Sequence, residues 1–323
     1  MVAAENKPMV SVCVVTYNQE KYIRQCLQSI VDQVTNFFFE VIIADDCSTD
    51  GTRAIVREFA ERYPGVVKPI FHNNNIGAYK NFIFIHEQGT GEYAAHIDGD
   101  DYWFPNKLSE QVAFMQNNKE CVAVYSNATV IEEDNQIIGI FSSNVKSVFD
   151  INYLIKNGNF LCNSSMLYKS SLRGKVFMKS GDYIDYQVHI KLSEYGLLGF
   201  VDKNLVAYRS DSSGSVIKVS NNYIRSLYLK ALLDIDLSKV KIETTEHALA
   251  HFLANAMIYE LIHGTFSGYW RWLGLINSGA SINLFKVQFF AFLIFLKFSS
   301  KKLVNRLRRI INKINPDYVL FEK

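Results

Sequence analysis

The first hundred residues alternate between short apolar runs and segments whose apolar positions recur at helical spacing. Val10-Ser-Val-Cys-Val-Val15 is almost continuously β-branched, the pattern of a strand covered on both faces. Ile23, Leu27, Ile30 and Val34 then mark a helix, and Glu40-Val-Ile-Ile-Ala44 a second buried strand, so the chain opens strand, helix, strand. Asp50 or Thr52 caps the next helix, which carries Ile55, Val56, Phe59 and Tyr63 on one face and ends at Pro64. Val66 to Phe71 reads as a third strand, Ala78 to Glu87 as a helix and Tyr93 to Ile97 as a fourth strand. Crossovers of this kind predict an α/β fold with a mostly parallel central sheet and flanking helices.

Composition bounds this picture without changing it. The chain has 323 residues, 49% of them hydrophobic, enough for one large domain with an extension or for two domains. Its net charge of +2 gives no overall field for nucleic acid. Five cysteines (Cys13, Cys26, Cys47, Cys121, Cys162) lack C-x-x-C spacing, and residues 1–8 lack the basic-then-apolar pattern of a signal peptide. Both features predict reduced thiols and a cytoplasmic protein.

In a parallel sheet the ligand lies beyond the carboxyl ends of the strands. Polar residues follow all four strands: Thr16, Tyr17 and Asn18, then Asp45, Asp46 and Ser48, then Asn73 to Asn75, then Asp98-Gly99-Asp100-Asp101. Carboxylates this close raise one another's pKa unless a cation neutralises them, and Mg²⁺ or Mn²⁺ is commonly held by one or two carboxylates plus phosphate oxygens. The expected ligand is a metal-bound phosphate compound. A solvated acidic turn would explain the tetrapeptide alone, but not four consecutive strand ends of ligand-type residues.

Thr16-Tyr-Asn18, Ala44-Asp-Asp-Cys-Ser-Thr-Asp-Gly-Thr52, Asn75-Ile-Gly77 and Ile97-Asp-Gly-Asp-Asp-Tyr-Trp-Phe-Pro-Asn-Lys-Leu108 together resemble the nucleotide-sugar-binding half of family 2 glycosyltransferases. These are inverting enzymes of the GT-A (Rossmann-like) fold, and the match covers roughly residues 9 to 215. The resemblance implies that Asp46 hydrogen-bonds the base, that Thr16, Tyr17 and Asn18 line its pocket, and that Gly77 and Lys80 lie near the nucleotide. It places Asp98 on the ribose side and Asp100 on a Mn²⁺ or Mg²⁺ ion bridging the diphosphate. Asp45 tunes the loop, Asp101 stands behind the metal ligand, and an exposed helix lysine is the plain alternative for Lys80.

Transfer also needs a base to deprotonate the acceptor hydroxyl. Asp185-Tyr-Gln-Val-His-Ile-Lys-Leu-Ser-Glu-Tyr-Gly196 resembles the family helix that opens on this acid, with Ile184 in place of the usual glutamate; Asp182 is the competitor. His189, one turn on, reads as a packed or exposed histidine. Ala207-Tyr-Arg-Ser-Asp-Ser-Ser-Gly-Ser215 resembles the family's Tyr-Arg lid, implying that Arg209 meets phosphate oxygens and that Asp211 is a second metal ligand or an Asx-turn residue. The Gln-x-x-Arg-Trp signature of processive relatives is absent, which predicts one sugar per encounter.

Residues 216–323 are expected to form a helical region beyond a catalytic domain of residues 1–215. Val287 to Leu296 is uncharged and Phe-rich but too short to span a bilayer. Leu303, Leu307, Ile310 and Ile314 then recur among Lys297, Lys301, Lys302, Arg306, Arg308, Arg309 and Lys313 with no acid between, the pattern of a basic amphipathic helix on an anionic membrane. A helix packed on the protein with a wet basic face is the alternative, and no aromatic residue interleaves the run as nucleic-acid binding would require. The expected function is metal-dependent transfer from a UDP-sugar to a glycan or polyprenyl-diphosphate-linked acceptor, in O-antigen or capsule assembly at the cytoplasmic face of the bacterial inner membrane. The alternatives are a catalytically silent sugar-nucleotide-binding scaffold and a nucleotidyltransferase, the second of which would need a Gly-rich NTP loop that Thr16 to Glu20 is not.

Overall fold

The computed structural model describes residues 7–177, 184–210, 221–263, 268–279 and 282–297. They fall into two units. One holds the chain up to Asp150 and from Phe160 to Asn221, and the other residues 151–159 and the chain from Asn222 onward.

The first unit follows the predicted alternation: β1 (Val10–Thr16), α1 (Ile23–Val31), β2 (Phe39–Asp45), α2 (Thr52–Arg62), β3 (Val67–Phe71), α3 (Ala78–Gln88) and β4 (Tyr93–Asp98). It continues through β5 (Tyr102–Trp103), α4 (Lys107–Asn117), β6 (Cys121–Ile131), β7 (Ile137–Ile140) and β8 (Val148–Phe149). After α5 (Ile151–Asn157), which belongs to the second unit, come β9 (Leu167–Lys169), α6 (Arg173–Val176), α7 (Asp185–Ser193) and β10 (Leu197–Arg209). The strands form one sheet in the order β3-β2-β1-β4-β9-β6-β10-β5, with β7 on β6 and β8 on β10. β1 to β4 pair in parallel, β9 is antiparallel to both β4 and β6, and β6 is parallel to β10. Two reversals through β9 therefore leave β6 and β10 running with β1 to β4. The six longest strands deliver their carboxyl ends to one edge, the mostly parallel arrangement that the sequence predicts.

Val12, Val14, Val41 and Ile43 of the sheet pack with Ile23, Leu27 and Ile30 of α1 and with Val56 and Phe59 of α2. This explains the continuous apolar runs of β1 and β2. The sequence extends the first helix to Val34, but α1 stops at Val31 and Val34 is 62% exposed. The reason is Gln33, which turns inward. Its amide donates to the Ser29 and Phe104 carbonyls, and its oxygen accepts the Leu108 N–H at the start of α4.

The second unit contains α5, α8 (Asn221–Leu233, whose first residue belongs to the first unit), α9 (Ile242–His263), α10 (Gly268–Gly279) and α11 (residues 284–297). α5 and α10 both pack on α9. Glu246 of α9 accepts the Asn283 N–H and pairs with Lys286 at 2.7 Å, which fixes the start of α11. Val287 and Ala291 of α11 are buried, whereas Phe285, Phe289, Phe292, Leu293 and Leu296 are exposed. No helix among the described residues is long and apolar enough to cross a membrane.

Candidate active site

The loops after β1, β2 and β3 are knitted to one another. Asn18 sits in the left-handed region at φ 51°, where asparagine is among the few side chains tolerated. Its N–H donates to Ser48 Oγ at 2.9 Å and its Oδ1 accepts the Thr49 N–H at 2.8 Å. Thr16 Oγ1 donates to Gln19 Oε1, and the Thr16 carbonyl accepts the Asp46 N–H. Asp46 is buried; its two carboxylate oxygens accept the Ile76 and Gly77 N–H groups at 2.7 and 2.9 Å, an approach that Gly77 permits by adopting φ 89°. Each oxygen keeps lone-pair capacity for a further donor. Asp45 accepts from Arg53 and from the Ser48 N–H, so it braces the loop. Tyr17 is 46% exposed at the mouth of these loops, and Lys80 is exposed on the first turn of α3.

The acidic loop follows β4. A Cβ on Gly99 would lie 2.4 Å from Gln19 Oε1 and 3.1 Å from Thr16 Cβ, so a larger residue between the first two aspartates would displace Gln19 and press on Thr16 of the β1 loop. The Asp98 side chain is 41% exposed, and its Oδ1 lies 3.2 Å from His96 Nε2. Burial opposes its charge, but His96 and Ser164 outweigh it, so Asp98 titrates below the usual carboxylate value. Asp100 is half-buried. Asp101 is buried and accepts the Arg209 N–H through Oδ1, while Oδ2 has no hydrogen-bond partner among the described residues. Burial first, then Asp100 and Asp98, hold Asp101 well above the ordinary carboxylate value.

Arg209, at the end of β10, is buried in this loop, and all five of its N–H donors have protein partners. Nε donates to the Asp100 carbonyl, one terminal nitrogen to the Glu132 and Glu133 carbonyls, and the other to Gln25 and Asn135. The guanidinium also stacks over Tyr22 at 4.7 Å. The resemblance implies a phosphate contact for this arginine; its protein contacts tie the acidic loop to α1 and to residues 132–135.

Asp185 is the first residue of α7, half-buried, with Oδ1 accepting the Tyr186 N–H at 2.7 Å. A helix N-terminus favours an anion there. The Tyr208 hydroxyl is pushed up by burial and then by Asp101, Cys162, Asp185 and Asp98, so Asp185 and the acidic loop act on the same group. His189 is packed: it is buried edge-on to Tyr125 at 4.9 Å and pushed down to about 3 by burial and then by His96. Asp182 and Asp211 lie outside the described residues.

The model of glycosyl transferase family 2 matches residues 11–177, more than half of the chain. The chain belongs to that family. An uncharacterized protein of Mycobacterium tuberculosis is 33% identical over 207 residues, which cover 64% of this chain and 60% of the relative, so the match spans about three fifths of that protein. The Escherichia coli UDP-Glc:alpha-D-GlcNAc-diphosphoundecaprenol beta-1,3-glucosyltransferase WfaP is 29% identical, covering 69% of this chain and 88% of its own. The Staphylococcus aureus TarS 1–349 structure in complex with UDP-GlcNAc superposes with TM-score 0.57 at 22% identity, covering 76% of this chain and 71% of that one, a likeness of fold.

For a family 2 glycosyltransferase the acidic loop is suited to a hard divalent cation. It offers the half-buried carboxylate of Asp100 and, behind it, Oδ2 of Asp101, which has no hydrogen-bond partner among the described residues; burial first, then Asp100 and Asp98, disfavour the charge of Asp101, and a cation would oppose that. The described residues contain no group of three or more histidines, cysteines or acids that could hold a metal unaided, and a site completed by phosphate oxygens does not need one. Sequence patterns carried no signal for Ser164, which receives the Asp98 N–H from a 3₁₀ turn at residues 163–165, nor for His86 and His96, which fall within a predicted helix and a predicted strand.

Proposed function

We propose that this protein transfers a sugar from a nucleotide sugar, a UDP-sugar by analogy with its relatives, to a hydroxyl of a glycan or polyprenyl-diphosphate-linked acceptor, with inversion, in bacterial surface polysaccharide assembly such as O-antigen or capsule. The observation that supports the reading is that Asp46 follows β2 and Asp98, Asp100 and Asp101 lie at the end of β4, at the edge where the parallel strands end, while Asp185, like Asp101 and Asp98, acts on the Tyr208 hydroxyl. The names of WfaP and of the TarS complex supply the class of donor and acceptor by analogy.

In this reading Thr16, Tyr17, Asn18 and Asp46 take the base, Gly77 and Lys80 flank the nucleotide, and Asp98 takes the ribose. Asp100 holds Mn²⁺ or Mg²⁺, with Asp211 as a further ligand. Such a cation, when bound, neutralises the charge developing on the leaving diphosphate. Asp185 accepts the proton of the acceptor hydroxyl as that oxygen bonds to the anomeric carbon. The bond from that carbon to the diphosphate oxygen breaks, and its electron pair leaves with the nucleoside diphosphate. Arg209 keeps the acidic loop in place throughout. The exposed apolar face of α11 and the basic residues that follow it dock the enzyme on the cytoplasmic face of the inner membrane, where a lipid-linked acceptor would be found.

Titration of UDP with and without Mn²⁺ tests the site. Mn²⁺ should tighten UDP binding to the wild type, and Asp100→Ala should abolish both that effect and sugar transfer. An unchanged Mn²⁺ effect in the variant would remove Asp100 from the metal.

A further inference from the structure

Beneath the acidic loop a line of polar side chains runs through the buried interior and ends on Asp98. The Tyr168 hydroxyl of β9 lies 3.0 Å from His86 Nδ1, at the last turn of α3. His86 Nε2 lies 3.1 Å from His96 Nδ1, in the middle of β4, and His96 Nε2 lies 3.2 Å from Asp98 Oδ1. Tyr168, His86 and His96 have no exposed surface. Phe82 stands edge-on to His96 at 4.6 Å, and Phe177 lies 5.0 Å from His86 and 5.8 Å from Tyr168, so aromatic walls separate the line from water.

Each contact in the line joins groups that can supply a donor and an acceptor, so the line is continuous from the Tyr168 hydroxyl to Asp98 Oδ1. The other Asp98 oxygen, Oδ2, lies 3.4 Å from Ser164 Oγ.

We propose that Tyr168, His86 and His96 form a hydrogen-bonded relay that fixes the Asp98 carboxylate in the orientation in which it accepts a ribose hydroxyl, with His96 as the positioning residue. This rests on the reading of Asp98 as the ribose ligand. A polar line could otherwise serve only to satisfy buried groups, but an interior tyrosine and two histidines are a costly way to support a strand when apolar residues would do so without desolvation. His96 holds one oxygen of an aspartate whose side chain is 41% exposed.

Two measurements on the full chain decide the matter. Ring ¹⁵N shifts of uniformly ¹⁵N-histidine-labelled protein, assigned with His86→Gln and His96→Gln, should show the His96 ring signals moving when His86 is replaced; His96 ring signals unchanged in His86→Gln overturn the relay. Binding of UDP and of its 2′-deoxy and 3′-deoxy analogues then tests what the relay does. His96→Leu should cost UDP about ten-fold in affinity and leave the analogue lacking the contacted hydroxyl within about two-fold of its wild-type value. His96→Gln, which retains a donor, should restore most of the preference. Equal losses for UDP and both analogues would reduce His96 to a packing residue and overturn the positioning role. Failure of the wild type to bind UDP would instead sink the donor reading, with the ring shifts still deciding the relay.

Discussion

Asp185 has one oxygen tied to the Tyr186 N–H and stands at a helix start, so its geometry does not depend on its being able to take a proton. Asp185→Asn keeps the size and most of the hydrogen bonding. As the proposed base it should lose about 10²- to 10⁴-fold in turnover while UDP affinity stays unchanged. Steady-state rates at saturating acceptor beside a UDP titration measure the two separately, and near-normal turnover would take the role from Asp185. Lys107 is a residue whose environment no local pattern announces. It is fully buried, its ammonium 3.8 Å over the Trp103 ring, and its nitrogen has no hydrogen-bond partner among the described residues. A cation over indole favours the charged form, but burial dominates and holds Lys107 well below its ordinary 10.5. Between the folded and unfolded pKa values the unfolded chain binds the extra proton, so this group makes stability rise with pH across that window. The melting temperature of the wild type relative to Lys107→Met should therefore climb from about pH 7 to about pH 10. Parallel curves would mean that the amine stays charged on Trp103. The aspartates of the site could be found from the sequence because they follow apolar runs that end abruptly. The acceptors of Arg209 left no local sign, because they come from three separate segments, α1, the acidic loop and residues 132–135, that only the fold assembles.

The first four strands and their helices are legible because each is a local pattern, apolar in period or in continuous run, bounded by Asp, Gly or Pro. The other half of the sheet is not. β6 and β10 pair across some eighty residues of chain, and β10 carries bulges near Val201 and Asn204 that break its alternation. β9 is three residues long, yet it supplies the two reversals that keep β6 and β10 parallel to β4. The same limit applied to α1, whose end is set by Gln33 reaching carbonyls on α1 and before α4. In α11 the apolar positions 285, 289, 292, 293 and 296 fall on one face opposite the buried Val287 and Ala291, and Phe285 is 79% exposed. Burying such side chains in a lipid interface contributes roughly 1.5–3 kcal/mol each, and nearby basic residues add about 1 kcal/mol apiece on anionic lipid. Phe285→Ser with Phe289→Ser should lower co-sedimentation with phosphatidylglycerol vesicles by about ten-fold or more and leave soluble activity intact. Unchanged sedimentation would assign that face another partner.

The path of the chain between its two units sets how the molecule can be divided. It leaves the sheet unit at Asp150, returns at Phe160 and leaves again after Asn221, so no single cut separates the two. α5 travels with the helical unit: Ile151, Leu154 and Ile155 are buried, α5 packs on α9, and Asn152 accepts the Lys241 N–H. A fragment ending at Asn221 therefore carries α5 without its cover. Such a fragment should aggregate at concentrations where the full chain does not, and Leu154→Ser with Ile155→Ser should restore its monodispersity by light scattering. Monodispersity of the unmodified fragment would show that α5 can be tolerated uncovered. Synthesis on the ribosome imposes the same order: the apolar positions of α5 emerge within the stretch of chain that makes the sheet unit, and about seventy further residues must follow Asn152 before Asn222 begins the remainder of the unit to which α5 belongs.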